Sequence, residues 1–316
     1  MISVILPFYN AAAYLPRVLE CLDQLEDVNM EVLLINDGST DNGPELAEKW
    51  GKGRVIHQEH LGIAAARDRG IREATGEWIW FVDADDTFDP HILQRMVAAS
   101  DGVDLVICRA HRYDDLGRIR LMEGVADEVV IEDLKSAIFA GTVRGYLWNK
   151  LFKTEVLRQA IERADGSHQL TSQEDFMLLL HALPGIHKAR LIPFIGYHYR
   201  GRKHSVMGTD LRQLENTSLC ADSVAAMGAP KSFRVWFEAV PCIATSALSG
   251  LPNVRELQLS LLRYLTPSAL LRTWSDGHRR EAVHGAVMAA TVPIGVYSPL
   301  YRVGRTMQKL LVRSKC

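Results

Sequence analysis

The chain has 316 residues, enough for a catalytic domain and an accessory piece. With 47% apolar and 23% charged residues it has the composition of a globular protein with a real core, which excludes a disordered chain. A formal net charge of −2 supplies no basic field for nucleic acid, so no nucleic-acid partner is expected.

Short, mostly β-branched runs predict strands over residues 2–6, 31–35, 54–57, 77–82 and 104–108. The first is too short, and lacks the preceding basic segment, for a signal core, so it reads as a strand. Between the runs, helical patterns cover residues 12–25, 44–50, 63–74 and 90–99. Strands spaced by helices of this length imply βαβ units, hence a mostly parallel, Rossmann-like sheet with helices on both faces. Asp37-Gly38-Ser39 reads as a turn, and Asp41 or Asn42 as the cap of the second helix. Over residues 114–130 the pattern loosens into an antiparallel excursion. Helices over 134–140, 154–160 and 173–183 follow, with a strand over 191–199.

Beyond about residue 205 helix follows helix, so a boundary is placed there: a catalytic α/β domain over 1–205 and a smaller helical region over 206–316. No uninterrupted apolar stretch of about 20 residues predicts a standard transmembrane helix. Residues 285–301 carry no charge but are broken by Pro293 and Pro299. Arg302, Arg305, Lys309 and Arg313 then share one helical face, with Val303, Met307, Leu310 and Leu311 on another. That pattern fits either an interfacial anchor on an anionic leaflet or a helix packed on its own domain. Cys21, Cys108, Cys220, Cys242 and Cys316 are scattered, without metal-type spacing, which suits a reducing compartment; a cytoplasmic enzyme is expected.

Ligands of open α/β sheets bind outside the carboxyl ends of the strands. Those ends here are Pro7-Phe8-Tyr9-Asn10, Asn36-Asp37-Gly38-Ser39 and Asp83-Ala84-Asp85-Asp86. No glycine precedes Gly38, which argues against a nicotinamide or flavin site, and no phosphate loop ending in Gly-Lys-Ser/Thr occurs. Asp83, Asp85 and Asp86 would repel one another after a buried strand unless a positive group sits among them. A hard divalent cation sharing diphosphate oxygens is one answer. Capping of the next helix by Asp86 or Asp89, with the others solvated, is the alternative.

Four segments between residues 3 and 86 carry a family likeness. They are Ser3-Val4-Ile5-Leu6-Pro7-Phe8-Tyr9-Asn10, Leu34-Ile35-Asn36-Asp37-Gly38-Ser39-Thr40-Asp41, Gly62-Ile63-Ala64-Ala65-Ala66-Arg67-Asp68-Arg69-Gly70 and Phe81-Val82-Asp83-Ala84-Asp85-Asp86. In order and spacing they resemble the family-2 inverting glycosyltransferases of GT-A fold. Trp148-Asn149-Lys150-Leu151-Phe152, Gln173-Glu174-Asp175-Phe176 and Tyr197-His198-Tyr199-Arg200 with Ser205 are similar to bacterial polysaccharide members. The likeness covers residues 1–205, and nothing comparable marks the remainder.

The resemblance implies roles. Tyr9 would stack on or flank a nucleobase to which Pro7 offers its carbonyl, and Asp37 would accept the imino proton of uracil. Asn36 stands where family members often carry a second acid. Arg67 would meet the diphosphate or ribose; a solvated surface arginine is the plainer reading. Asp83 would contact the ribose or the metal's water shell, and Asp85 would ligate Mn²⁺ or Mg²⁺. Asp175 would be the base and Glu174 would orient the acceptor, although both acids also suit a helix start. His204, with His198, Arg200, Lys203 and Ser205, would form a basic loop closing over the diphosphate. Trp148 and Lys150 would shape the acceptor side or lie in the core. The implied donor is a nucleotide sugar, a UDP-sugar by Asp37. The implied acceptor is a glycan or lipid-linked glycan, reached at the inner face of the plasma membrane with peripheral contact through 285–316. A polyprenyl-phosphate acceptor and a catalytically silent nucleotide-sugar-binding subunit are the competing readings.

Overall fold

The computed structural model describes residues 1–25, 27–113, 118–122, 125–166, 170–201, 211–249, 254–293 and 297–301. The chain divides into two compact units, Met1–Lys203 and His204–Cys316.

The first unit is a ten-stranded mixed sheet with helices on both faces. In chain order its elements are β1 (Ile2–Phe8), α1 (Leu15–Asp23), β2 (Met30–Asp37), α2 (Gly43–Trp50), β3 (Arg54–Gln58), α3 (Ile63–Glu73) and β4 (Trp78–Phe81). Then come β5 (Thr87–Phe88), α4 (Ile92–Ala98), β6 (Leu105–Tyr113), β7 (Ile119–Met122), β8 (Val129–Ile131), α5 (Leu134–Phe139) and β9 (Lys150–Lys153). The unit closes with α6 (Thr154–Ala164), α7 (Glu174–Ala182) and β10 (Ala189–Arg200).

Spatial order is β3-β2-β1-β4-β9-β6-β10-β5, with β7 on β6 and β8 on β10. β3, β2, β1 and β4 are parallel, as the βαβ spacing predicts. β9 then enters antiparallel to both β4 and β6, and β6 runs parallel to β10. The expected antiparallel excursion is present as β7 against β6 and β8 against β10.

The period of two along β1 fixes the two cores. Val4, Leu6 and Phe8 point to a layer with Leu15, Val18, Leu19 and Leu22, the i, i+3, i+4, i+7 stripe of α1. Ile5 points the other way, against α3. There Gly70 lets the helix press onto the strand, because a Cβ would come 2.4 Å from Ile5 Cγ2. Trp80 is fully buried, and its indole N–H donates to the Trp148 carbonyl at 2.7 Å, which ties β4 to the segment before β9.

The second unit is helical among its described residues. It comprises α8 (Leu211–Ala226), α9 (Lys231–Arg234), α10 (Val240–Ser249), α11 (Val254–Leu261), α12 (Pro267–Ser275) and α13 (Arg279–Thr291). It has its own core, with Val235, Ala239, Ile243, Leu261, Leu265 and Met288 at its centre. Buried Glu238 is compensated by Ser218 Oγ and Arg234 Nη1, each donating at 2.7 Å. No described helix is long and apolar enough to cross a membrane.

Candidate functional site

Parallel register brings three loops to one edge. Phe8 lies opposite Asn36, Asp37 opposite Gln58 and Ile5 opposite Phe81, so the segments leaving β1, β2 and β4 emerge side by side. Pro7 is buried within β1, opposite Ile35. Asn10 adopts a left-handed φ of +48°, and its side-chain oxygen accepts from Thr40 N at 2.8 Å while its own N–H donates to Ser39 Oγ at 3.0 Å. Such backbone strain is held only where neighbours over-determine it.

Asp37 is 2% exposed and accepts four hydrogen bonds. Gln58 Nε2 (2.7 Å) and Leu61 N (2.9 Å) donate to Oδ1; His60 Nδ1 (2.8 Å) and Gly62 N (2.9 Å) donate to Oδ2. Burial alone would raise this carboxyl, but the donors more than reverse it and hold it below the usual range. Gly38 follows at φ +71°, where a Cβ would meet His60 N at 2.7 Å, so only glycine lets the two loops approach this closely. Tyr9, 44% exposed, stacks on the His60 ring at 3.9 Å and 15°. The sequence did not point to His60: a single histidine two residues ahead of Gly62, outside the motif, carries no periodicity or spacing signal.

Gly62 is also the residue on which α3 begins, so Asp37 sets the start of the helix that presents Arg67. Arg67 is 3% exposed, not a solvated surface arginine. Its Nη1 donates to Glu174 Oε1 at 3.0 Å and to Asp175 Oδ1, and its Nη2 donates to Asp83 Oδ1 at 3.1 Å. Burial works against its charge, but the three carboxylates outweigh burial and raise its pKa. Glu174 and Asp175 occupy the first turn of α7, after Gln173 at a left-handed φ of +64°. The positive end of the helix favours acids there. Burial pushes the Asp175 carboxyl up to about 8, with Arg67 pulling it down and Glu174 and Asp83 adding to the rise.

After β4, Asp83 and Asp85 are half-buried and Asp86 is buried. Asp86 does not cap the next helix: its Oδ1 accepts from Arg200 N at 2.8 Å and so fixes the end of β10. Asp89 does the local work instead, accepting from His91 N at 2.9 Å. Burial, then Asp83 and Asp85, push the Asp86 carboxyl well above the carboxylate range. No group of three His, Cys, Asp or Glu side chains forms a protein-only metal cage among the described residues. The local donors are all hard carboxylate oxygens, two of them half-exposed. That set fits Mg²⁺ or Mn²⁺ shared with phosphate oxygens better than a closed site.

Trp148 and Lys150 are both buried. Trp148 stacks with Tyr146 (4.9 Å, 19°), Tyr197 (4.6 Å, 17°) and Tyr199 (5.7 Å, 4°), and Lys150 Nζ donates to Asn149 Oδ1 at 2.9 Å. The Tyr197 hydroxyl accepts from Asp83 N at 3.1 Å, so this aromatic stack reaches the acidic strand end. His198 stacks on His111 at 5.9 Å on the neighbouring strand. Lys203, His204 and Ser205 lie outside the described residues. The predicted site residues therefore fall into two clusters, Tyr9 with Asp37 through His60, and Asp83, Glu174 and Asp175 around Arg67. Asp85 stands beside the second in sequence.

A family model described as Glycosyl transferase family 2 matches residues 3–166. EpsH of Bacillus subtilis (strain 168), which carries a provisional glycosyltransferase name, is 32% identical over 232 residues, 69% of this chain and 66% of that protein. EpsJ of the same strain, an uncharacterized glycosyltransferase, is 28% identical over 218 residues, 65% of this chain and 62% of its own length. The chain thus spans just under two thirds of each of these two relatives. Among solved structures, S. aureus TarS 1-349 in complex with UDP-GlcNAc matches with a TM-score of 0.65 at 18% identity, covering 96% of this chain and 92% of that one. At that identity the likeness is one of fold, the GT-A arrangement.

Removing the guanidinium should leave its three acidic partners without a counter-charge or donor. Arg67→Gln is expected to lower unfolding free energy by about 3 kcal/mol or more. Asp175→Asn in the Arg67→Gln background should restore part of it. A urea-denaturation double-mutant cycle checks this, and additive losses would show that the groups do not couple.

Proposed function

The chain belongs to glycosyl transferase family 2, and from that membership we propose that it transfers a sugar from a nucleoside diphosphate, a UDP-sugar, to a hydroxyl of a glycan or lipid-linked glycan. One observation carries the reading: a buried guanidinium, Arg67, holds Asp83, at the end of β4, and Glu174 and Asp175, in the first turn of α7, within one cluster.

The chemistry follows from that placement. Transfer with inversion needs a base on the acceptor side of the anomeric carbon. Asp175 takes the proton of the acceptor hydroxyl as that oxygen attacks, and the bond from the anomeric carbon to the diphosphate oxygen breaks. Glu174 orients the acceptor. Tyr9 and Asp37 hold the nucleobase, beside the Pro7 carbonyl, and Asp83 contacts the ribose or the metal's water shell. Arg67 Nε, buried and without an acceptor among the described residues, is the donor available to a diphosphate or ribose oxygen. Mn²⁺ or Mg²⁺ on Asp85 would neutralise the charge on the departing diphosphate. His204 belongs to the same reading as a diphosphate contact. A uridine donor is supported by the carboxylate at Asp37 and by S. aureus TarS, solved with UDP-GlcNAc and with UDP.

A lipid-linked acceptor places the protein at a bilayer surface, at the cytoplasmic face of the plasma membrane. On α12 and α13, Leu271 (72% exposed), Trp274, Val283 and Val287 stand in water, as does Leu300, and Arg279 lies 5.6 Å over the Trp274 ring. Apolar side chains interleaved with Arg272, Arg279 and Arg280 match an anionic interface. Of the segment 285–316 read from the sequence as the contact, residues 302–316 lie outside the described residues.

Titration with UDP and GDP, each with and without Mn²⁺, tests the donor site. UDP is expected to bind with metal dependence that Asp85→Ala abolishes; no binding of either nucleotide under any condition would overturn the reading. Asp175→Asn should lower kcat by about 10² to 10⁴ with little change in UDP affinity. A base must be deprotonated, so a carboxyl raised to about 8 in the free protein makes wild-type kcat/KM climb as pH rises toward that value. A plateau already reached at pH 5 would contradict the assignment. In co-sedimentation, phosphatidylglycerol vesicles should bind the protein and phosphatidylcholine vesicles much less. Val283→Glu with Val287→Glu should weaken binding roughly tenfold or more, since burying each valine contributes about 1.5 kcal/mol. Unchanged sedimentation would remove the membrane role of α13.

A further inference from the structure

Tyr9 and Asp37, the two side chains assigned above to the nucleobase, are both engaged by one residue of the same chain. The His60 imidazole lies flat on the Tyr9 ring, 3.9 Å between centroids and 15° from parallel. Its Nδ1 lies 2.8 Å from Asp37 Oδ2 and 3.1 Å from the Asp37 carbonyl. Both oxygens are acceptors only, so Nδ1 carries the hydrogen and donates. A planar ring stacked on a tyrosine, with a ring N–H directed at a buried carboxylate, is the recognition pattern a uracil base would present to the same pair.

We infer that His60 competes for the nucleobase subsite and is displaced from it when the donor binds, which makes it a determinant of donor affinity. The inference rests on the reading of Tyr9 and Asp37 as nucleobase contacts. The surroundings allow the exchange. The His60 side chain is 53% exposed, so its ring has solvent to enter. Asp37 keeps Gln58 Nε2, Leu61 N and Gly62 N when His60 leaves, so the loop and the start of α3 stay in place. The base then exchanges one ring N–H for another and one stacking partner for another. Much of its binding free energy is thereby offset by the contacts His60 gives up.

Such competition lowers apparent affinity by the fraction of molecules in which the site is open. Calorimetric titration of the full chain with UDP should therefore give His60→Ala roughly 3- to 10-fold tighter binding than wild type. Pyrophosphate, which has no base, should bind the two alike. Thermal unfolding confirms that the variant is folded, and His60→Gln, which keeps a polar side chain without the ring, should also bind UDP more tightly. Equal or weaker UDP binding by both variants would overturn the inference, as would an equal gain for pyrophosphate. Tyr9→Ala in the His60→Ala background, where no ring competes for the stack, separates the two levels. If it weakens UDP binding while the His60 variants gain nothing, the subsite stands and the competition falls. If it leaves UDP affinity unchanged, the nucleobase reading itself fails and the inference goes with it.

Discussion

Arg67 is a full positive charge with 3% exposure, and a buried guanidinium persists only when its charge and donors are met. The converse holds for its partners: Asp83, Glu174 and Asp175, each only partly exposed, would repel one another if gathered without a cation. Each side of the interaction therefore requires the other. Since the partners are 16, 107 and 108 residues away in sequence, the requirement is tertiary. It ties α3 and the end of β4, both products of the parallel half of the sheet, to the first turn of α7, which arrives only after β9 has been inserted. The acidic ends of two separate elements thus form one site because one helix presents a cation between them.

How Arg67 comes to stand there was not legible in the sequence. Its helix is rich in small residues, Ala64, Ala65, Ala66 and Gly70, and an arginine in such a run reads equally as surface. In the folded chain those small residues have the opposite meaning. Gly70 lets α3 lie close on β1, since a Cβ there would come 2.4 Å from Ile5 Cγ2, and Arg67 is buried along the same helix with Ala64, Ala66 and Gly70. The same limit applied to the sheet. Strands β1 to β4 announce themselves through β-branched runs separated by helices. β5 has two residues and β9 has four, and β9 opens on Lys150, which is fully buried. A buried lysine and a two-residue pairing are set by neighbours far along the chain, so no local pattern encodes them. The acidic ends of β2 and β4 and the Glu174-Asp175 pair could be read because strand ends and helix starts are local features. Which carboxylate faces which cation could not.

The totals concealed a second feature. A net charge of −2 describes neither unit: Met1–Lys203 carries 23 Lys and Arg against 31 Asp and Glu, whereas His204–Cys316 carries 13 against 7. Segregation of this kind cancels in a whole-chain sum, which is why composition alone gave no sign of a basic helical unit. It also separates two requirements. On the proposed reading the acidic unit concentrates carboxylates where a cation and a base would act, and the basic unit, with its exposed apolar side chains, would meet the anionic interface.

On the proposed reading, structure and binding draw on the same group at Asp37. Its carboxylate closes the loop 58–62 and fixes Gly62, the N-cap of α3, so it cannot be a free acceptor waiting for a ligand; a buried carboxylate with no donors would be too costly to keep. Three of its four donors come from groups whose loss would loosen the loop or the helix. The fourth, the His60 ring, is half in solvent and also covers Tyr9. Of the four, only that one can be traded without altering the position of Arg67. A site built this way stays fully satisfied with or without a ligand. The exchange at His60 and the clamp at Arg67 are then joined through Gly62, the residue at which the loop becomes the helix.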